Sequence, residues 1–393
     1  MAKPLNEQQN SIHYENTRLA DYTEFNGQER GGMDIPFTML TLLLLTIGVV
    51  MVLSSSYARA YYETTTHGNA LYYFVRQGVF AMGGVGVMLI CSRLPMGVYR
   101  WAAPYVLLIS IGLLAAVVVL GYVAGGARRW INLGFTTFQP SELAKIGIIL
   151  FFAHQLCRQK EKIRKLSGLA PFIAALGVVC VLLAWEPHWS AIMIIGAVGL
   201  VMLFVGGVRL IWFIAGIAAA GSAFGIAYTF FPYVRNRLAG WLDPFADLAN
   251  KGWQVIQSLY AIGSGGLLGL GLGNSRQKYL YLPEEHNDYI FSIVCEELGF
   301  IGAILILALF ALLIIRGYWL AMHARDRFSC FVCVGITTLL ALQVILNVAV
   351  CTNSLPSTGI SLPLFSYGGT ALLLQMAEIG VVLSMSRDIP EKK

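Results

Sequence analysis

LPEEHNDYIFSIVCEELGF, residues 282–300, passes from a polar loop into an apolar helix and carries five carboxylates: Glu284, Glu285, Asp288, Glu296 and Glu297. A carboxylate at the centre of a membrane helix costs roughly 2.5–3.5 kcal/mol on insertion scales, so one that persists there is a candidate for function. The rest of the chain reads as a frame that holds this stretch at one face of a bilayer.

Of the 393 residues, 57% are hydrophobic and only 12% charged, and the mean hydropathy is +0.68. Soluble domains carry roughly 25% charged residues, so the composition specifies an all-α, polytopic integral membrane protein. The 41 glycines suit close helix packing in lipid. The net charge of +6 lies mostly in loops beside apolar runs and acts as a topology signal; no nucleic-acid partner is expected. The seven cysteines are scattered, most of them within apolar runs, and read as packing residues. Cys330 and Cys333 form a CxxC with no second pair at ligand spacing, so no metal site is assigned.

Residues 1–35 are polar and of mixed charge and read as a disordered cytoplasmic tail with no cleavable signal. Ten apolar runs follow, centred near residues 46, 82, 111, 149, 176, 198, 219, 304, 341 and 376, each long enough to span. The basic linker 158–165 (RQKEKIRK), Arg93 with Arg100, and Arg325 with Arg327 all fall on one side in a ten-span count, and both termini join them. Positive-inside counting makes that side cytoplasmic, with residues 389–393 a second short tail. One outer connection, 230–287 between the seventh and eighth spans, is very long. It holds Trp241, Trp253, the amphipathic stretch 254–262 and a glycine-rich run, GSGGLLGLGLG at 263–273. This content argues for an ordered re-entrant or interfacial segment. With no strand before it, the run is not a dinucleotide fingerprint.

Three polar islands could carry chemistry on the outer face. Asp288 lies where the long loop enters the eighth span, beside His286 and Asn287. Partial desolvation there favours a general base, whereas Asp is equally a favoured N-cap, and the two roles are compatible. Glu296 and Glu297 lie deeper, and burial against Arg or Lys of another helix is the plainer reading of both. The stretch 126–145 (GARRWINLGFTTFQPSELAK) carries Arg128 and Arg129 against the positive-inside pattern. Its QPSE segment reads as a cap with Pro in the first turn, which places Lys145 to pair with Glu142 or face a cavity. Arg235, Arg237, Arg276 and Lys278 form a third set. Converging guanidinium groups suit a phosphate or pyrophosphate, and attraction to anionic headgroups is the ordinary alternative. The last outer loop, 353–369 (NSLPSTGISLPLFSYGG), is uncharged and irregular. Such backbone is tolerated at membrane depth only when it is buried in protein or lines a cavity.

These motifs together resemble the SEDS family (shape, elongation, division and sporulation), which comprises FtsW, RodA and SpoVE. The resemblance covers nearly all of residues 36–388 and rests on Arg128-Arg129-Trp130-Ile131, Gln139-Pro140-Ser141-Glu142-Leu143-Ala144-Lys145, residues 282–299, and residues 356–369 ending in Ser366-Tyr367-Gly368-Gly369. Residues 273–278 (GNSRQK) look more like the FtsW/SpoVE branch.

The resemblance implies a peptidoglycan glycosyltransferase that polymerises lipid II in the bacterial cytoplasmic membrane, with an outward-facing site. The family's catalytic Asp falls on Asp288. Arg128, Arg129, Lys145, Arg235, Arg237, Arg276 and Lys278, with Glu142, His286 and Ser366, make up the implied substrate-binding set. The implied donor is already activated, as it must be on a face without nucleoside triphosphates. The implied partners are a class B penicillin-binding protein and other divisome proteins. No cofactor is assigned, and a divalent cation is left open. The alternative activity is a lipid II flippase, which needs a polar route across the bilayer, whereas the polar residues here concentrate on the outer half. The chain departs from the family pattern at His188, where Asp often follows Glu-Pro. It departs again at Ser357-Thr358-Gly359, which lacks the frequent Lys, and at Asn287, which replaces a common Thr.

Overall fold

Asp34 starts the first helix, α1 (Ile35–Tyr62): its Oδ1 accepts the Phe37 amide at 2.9 Å and Pro36 sits in the first turn, where its missing N–H costs nothing. The computed structural model describes residues 31–124, 127–134, 136–246 and 252–389. The N-terminal tail to residue 30 and residues 390–393 lie outside them. After α1 come α2 (Tyr72–Arg93), α3 (Met96–Leu120), α4 (Pro140–Gln159), α5 (Leu166–Trp185), α6 (Trp189–Val205) and α7 (Leu210–Phe230). Two shorter helices, α8 (Pro232–Leu242) and α9 (Trp253–Gly265), occupy the long connection, and α10 (Ile290–Met322), α11 (Arg327–Cys351) and α12 (Gly369–Ser386) complete the bundle.

Each of the ten expected spans falls on one of these helices. Eight of the described helices are long and apolar enough to cross a membrane, α6 is apolar but has 17 residues, and α4 is interrupted by Glu142, Lys145 and Arg158. The chain is thus a polytopic helical membrane protein. The connection before α4 adds what an all-α reading omits: an antiparallel sheet of β1 (Tyr122–Ala124), β2 (Ala127–Asn132) and β3 (Thr137–Phe138) in that order.

The chain ends meet on one face. The Gly31 amide donates to the Arg387 carbonyl at 2.9 Å, the Asp34 amide to Ser386 Oγ at 3.1 Å, and Arg316 of α10 pairs with the Asp34 carboxylate at 2.5 Å. The most extensive packing is α2 on α12, α3 on α4, and α10 on α11. α11 lies at the centre, whereas α7 is almost wholly exposed to its surroundings. Small residues set the α2–α12 seam, where Gly84 lies against Met376 and Gly380 against Met88 and Cys91.

The long connection is anchored by a break in α10. Gly299 adopts φ 69°, ψ −172°, a region open essentially to glycine alone, and the interrupted ladder is completed by the glycine-rich run. Leu270 and Gly271 amides donate to the Glu296 and Glu297 carbonyls, each at 3.0 Å, and the Phe300 amide donates to Gly266 O at 2.9 Å. Backbones this close leave no room for side chains: a Cβ at Gly265, Gly269 or Gly299 would overlap main-chain atoms of the facing segment. The run therefore exists for close backbone approach. Gly299→Ala is expected to destabilise the protein by at least ~1–3 kcal/mol from conformation alone, before the overlap with Gly269 is counted. Thermal unfolding of the detergent-solubilised protein checks this, and an unchanged midpoint would contradict the break.

Candidate active site

Residues 275–298 are organised by the two deep carboxylates. Glu296 accepts the Arg276 amide at 2.9 Å, the Gln277 amide at 3.4 Å and the Ser275 hydroxyl. Glu297 receives Lys278 Nζ at 3.0 Å, Ser54 Oγ of α1 at 2.6–2.7 Å and the Ser275 amide at 3.2 Å. All of these carboxylate and ammonium groups are buried. The expected burial of both glutamates holds, but the partners differ: Glu296 binds amides and a hydroxyl, and Glu297 takes its cation from the loop. A consequence is a correction for Lys278. It points inward, donates to the Gly273 carbonyl as well, and is not available to a ligand phosphate.

Asp288 stands two residues before α10, and Tyr289, not Asp288, occupies the cap position. The capping role is therefore not the one the structure supports. What is fixed is its backbone. Asn347 Nδ2 of α11 donates to the Asp288 carbonyl at 2.8 Å and to Ile360 O at 2.7 Å, and Cys351 Sγ lies 3.7 Å from the same Asp288 oxygen. The side chain is half-buried and reaches the last loop: a Cβ at Gly359, φ +71°, would lie 3.2 Å from Asp288 Oδ2. Asp288 is thus held by its main chain while its carboxylate faces a residue with no side chain.

The neighbouring loop residues are anchors. Glu285 takes a two-pronged pair from Arg59 of α1, at 2.8 and 3.0 Å. Burial pushes its carboxyl up, yet the hydrogen bonds and charges of His286 and Arg59 together hold it below the usual range. His286 is buried against the rings of Tyr73 and Tyr367, at centroid distances of 4.8 and 5.6 Å, and those two rings meet edge-on at 4.9 Å. The Ser366 hydroxyl donates to Asn287 O and accepts the Leu362 amide, both at 2.7 Å, and the Tyr367 amide donates to His286 O at 2.9 Å. Expected as substrate ligands, His286 and Ser366 instead fasten the Asp288 loop to the last loop. That loop is itself threaded into the bundle, with Ile360, Leu362, Leu364 and Phe365 all buried, as its uncharged irregular sequence predicts.

The second island meets the first through the last loop. Arg129 of β2 donates from Nε to Glu186 O at 3.3 Å and from its terminal nitrogen to Pro187 O. Ser190, four residues on, donates to the Thr358 carbonyl beside Gly359. Arg129 and the Thr358–Gly359 segment are thus both fastened to the short connection between α5 and α6 and its first helical turn. Lys145 is buried and pairs with Glu142 at 2.7 Å, the first of the two expected roles. The Arg128 side chain is exposed, as are Arg235 on α8 and Arg276. Arg276 opens onto a groove of about 600 Å³ with Trp253, Tyr260, Tyr279 and Tyr281. The side chain of Arg237 lies outside the described residues.

Sequence reasoning did not single out Arg59, Asn347 or Gln77, whose amide group bridges Ser366 O at 3.2 Å and the Gly368 amide at 3.4 Å. The available signal was a polar side chain inside an apolar run. Glu186, in the short turn between α5 and α6, is a further buried carboxyl group. Its two carboxyl oxygens are buried with no hydrogen-bond partner among the described residues. Burial pushes its pKa up to about 8, with Arg129 pulling the other way. Beside it, burial pulls the His188 imidazole down to about 3, with Arg129 and Lys145 adding.

Because the folded carboxyl of Glu186 binds its proton more tightly than the unfolded value of 4.5, its contribution is fully present at acid pH and is lost as pH rises towards about 8. His188 has the opposite sign: its contribution is present above 6.5 and lost as pH falls towards about 3. Glu186→Gln is expected to flatten the fall in stability that the wild type shows between about pH 5 and pH 8. Melting temperatures of both proteins across that range decide it, and parallel curves would mean the carboxyl is not held neutral.

Comparison with known proteins agrees with these features. The cell cycle protein family FtsW/RodA/SpoVE matches residues 35–390. Stage V sporulation protein E of Bacillus subtilis is 39% identical over 360 residues, covering 90% of this chain and 97% of that protein. A probable peptidoglycan glycosyltransferase FtsW of Geobacter sulfurreducens is 38% identical over 365 residues, covering 92% and 97%. Among solved structures, a chain of a peptidoglycan synthase complex that coordinates polymerization and crosslinking superposes with a TM-score of 0.76 at 29% identity, covering 92% of this chain and 99% of that one.

Proposed function

The chain belongs to the FtsW/RodA/SpoVE family, and on that premise we propose that it is a peptidoglycan glycosyltransferase that polymerises lipid II with Asp288 as general base. The observation that carries the residue assignment is the geometry at Asp288. Its main chain is clamped by Asn347, and its carboxylate faces the side-chain-free position of Gly359. A base must be held still and remain reachable, and this arrangement supplies both.

In the proposed reaction the Asp288 carboxylate takes the proton of the acceptor sugar's 4-hydroxyl. That oxygen attacks the anomeric carbon of the donor from the face opposite the leaving group, so the configuration inverts. The C–O bond to undecaprenyl pyrophosphate breaks, and the pyrophosphate leaves with the electron pair. Arg129, fastened to the same connection that holds the Thr358–Gly359 segment, is the cation assigned to meet that charge. Arg128, Arg235 and Arg276 are exposed and contribute to attracting the anionic donor. Lys145 is committed to its ion pair with Glu142 within the bundle.

The membrane domain is 36–388, with residues 1–35 and 389–393 as cytoplasmic tails and the site facing outward. The positive-inside rule supports this orientation, because Arg158, Arg164, Arg209, Arg325 and Arg327 lie on the face opposite Asp288. The partner is a class B penicillin-binding protein within the divisome or its sporulation counterpart. Its support is the likeness to a chain that works inside a synthase complex. The test is glycan polymer formation from lipid II by the purified protein with that partner. Absence of polymer together with passage of lipid II across vesicles would favour a transporter instead.

A further inference from the structure

The face opposite Asp288 holds a cavity of about 680 Å³ lined by Arg100, Arg164, Arg327, Asp326, Ile163 and Phe328 among others. Asp326 follows the far end of α10, whose unbroken stretch 300–322 alone spans ~35 Å at 1.5 Å per residue, so the two sites lie on opposite faces. Arg100 comes from the first turns of α3, Arg164 from the α4–α5 connection and Arg327 from the start of α11. Connections distant in sequence thus converge on one concavity with three guanidinium groups against one carboxylate.

That carboxylate is already committed. Asp326 caps α11 by accepting the Phe328 amide at 3.1 Å and the Ser329 hydroxyl, and it takes Arg100 at 2.7 Å. Arg100 is further fixed over the Phe328 ring, 5.2 Å from its centroid. Arg164 and Arg327 are exposed and form no ion pair among the described residues. The floor is apolar, because Phe328 and Ile163 are buried. The depth of the cavity follows from Trp101, next to Arg100, which is 66% exposed and packs on Tyr105 at 5.0 Å, as an interfacial aromatic anchor does.

A cavity at headgroup depth, with two uncommitted guanidinium groups above an apolar floor, suits a phosphate that carries an apolar tail. We infer that this pocket binds a phosphate monoester or diester, supplied by an anionic lipid headgroup of the leaflet remote from Asp288. Arg164 and Arg327 are the binding groups, and Arg100 with Asp326 forms the rigid wall. The inference is independent of the polymerase reading.

The test uses the full chain in detergent. Retention of phosphatidylglycerol, against phosphatidylcholine, is measured by native mass spectrometry for wild type, for R164Q/R327Q, and for K162Q/K165Q. The last pair removes two exposed cations from the same α4–α5 connection that do not line the cavity. The arginine pair is expected to lower phosphatidylglycerol affinity by about a hundredfold, since it removes the charge-assisted hydrogen bonds of two guanidinium groups to the phosphate. The lysine pair is expected to change it several-fold less. In a parallel arm, melting temperatures in millimolar inorganic phosphate against chloride at equal ionic strength identify the source. A rise seen in wild type and lost in R164Q/R327Q, with unchanged lipid retention, would assign the pocket to a soluble phosphate. Equal retention in all three proteins with no phosphate effect overturns the inference. So does an equal loss in both variants, which would reduce the pocket to general surface attraction.

Discussion

Polymer formation is expected to fall by at least about a hundredfold when Asp288 is replaced by Asn, because a positioned general base is typically worth about 10²–10⁴ in rate. The expectation is sharp because the substitution leaves the main-chain anchor of this residue in place. Asp288 ties to the bundle through its carbonyl oxygen, which accepts from Asn347 at 2.8 Å, and an Asn at the same place keeps that oxygen. Asn is also isosteric with Asp, so the close approach of Gly359 is preserved. The comparison should combine glycan assays from lipid II with a melting curve for each protein. Loss of polymer with an unchanged curve assigns the proton transfer to Asp288. Equal polymer from both proteins would remove Asp288 from the mechanism while leaving the family assignment untouched.

The other large effect belongs to a buried residue of the long loop. Lys278→Met is expected to destabilise the protein by roughly 3–5 kcal/mol, the usual cost of stripping one partner from a buried ion pair. Glu297 would keep Ser54 and the Ser275 amide but lose its only cation among the described residues. Because Ser54 lies in α1, Lys278 in the long loop and Glu297 in α10, the damage would loosen three segments at once. A K278M/E297Q double variant is expected to recover most of the loss, since no buried charge then stands alone. Thermal unfolding and lipid II polymerisation should be read on both variants. Recovery of stability and activity together supports a structural pair. A stable single variant that has lost only lipid II binding would return Lys278 to the substrate site.

The helices were legible because lipid imposes their length and because the backbone must satisfy itself within each span. Every expected span falls on a helix, and α4 begins at Pro140, where its QPSE segment places the start. The three polar islands were legible for the same reason: charge is scarce in this chain, so its clusters stand out. The last loop's lack of charge leaves burial in protein or the lining of a cavity open, and its Ile360, Leu362, Leu364 and Phe365 are buried. The sheet was missed because its strands, of 3, 6 and 2 residues, are too short to show an alternating run.

Within the islands, only tertiary structure separated ligands from anchors. Arg276 and Lys278 are two residues apart and alike in charge, yet Arg276 opens onto an aromatic groove while Lys278 is buried on Glu297. His286 and Asp288 are likewise two apart, yet one is packed against two tyrosines and the other reaches Gly359. Sequence determined that this protein is a membrane bundle with a carboxylate at its polar face, since hydropathy and charge are properties of each segment by itself. Which charges face a ligand was decided by partners hundreds of positions away, such as Ser54 for Glu297 and Arg59 for Glu285. A buried charge must find its counter-charge in space, and that distance exists only once the chain has folded.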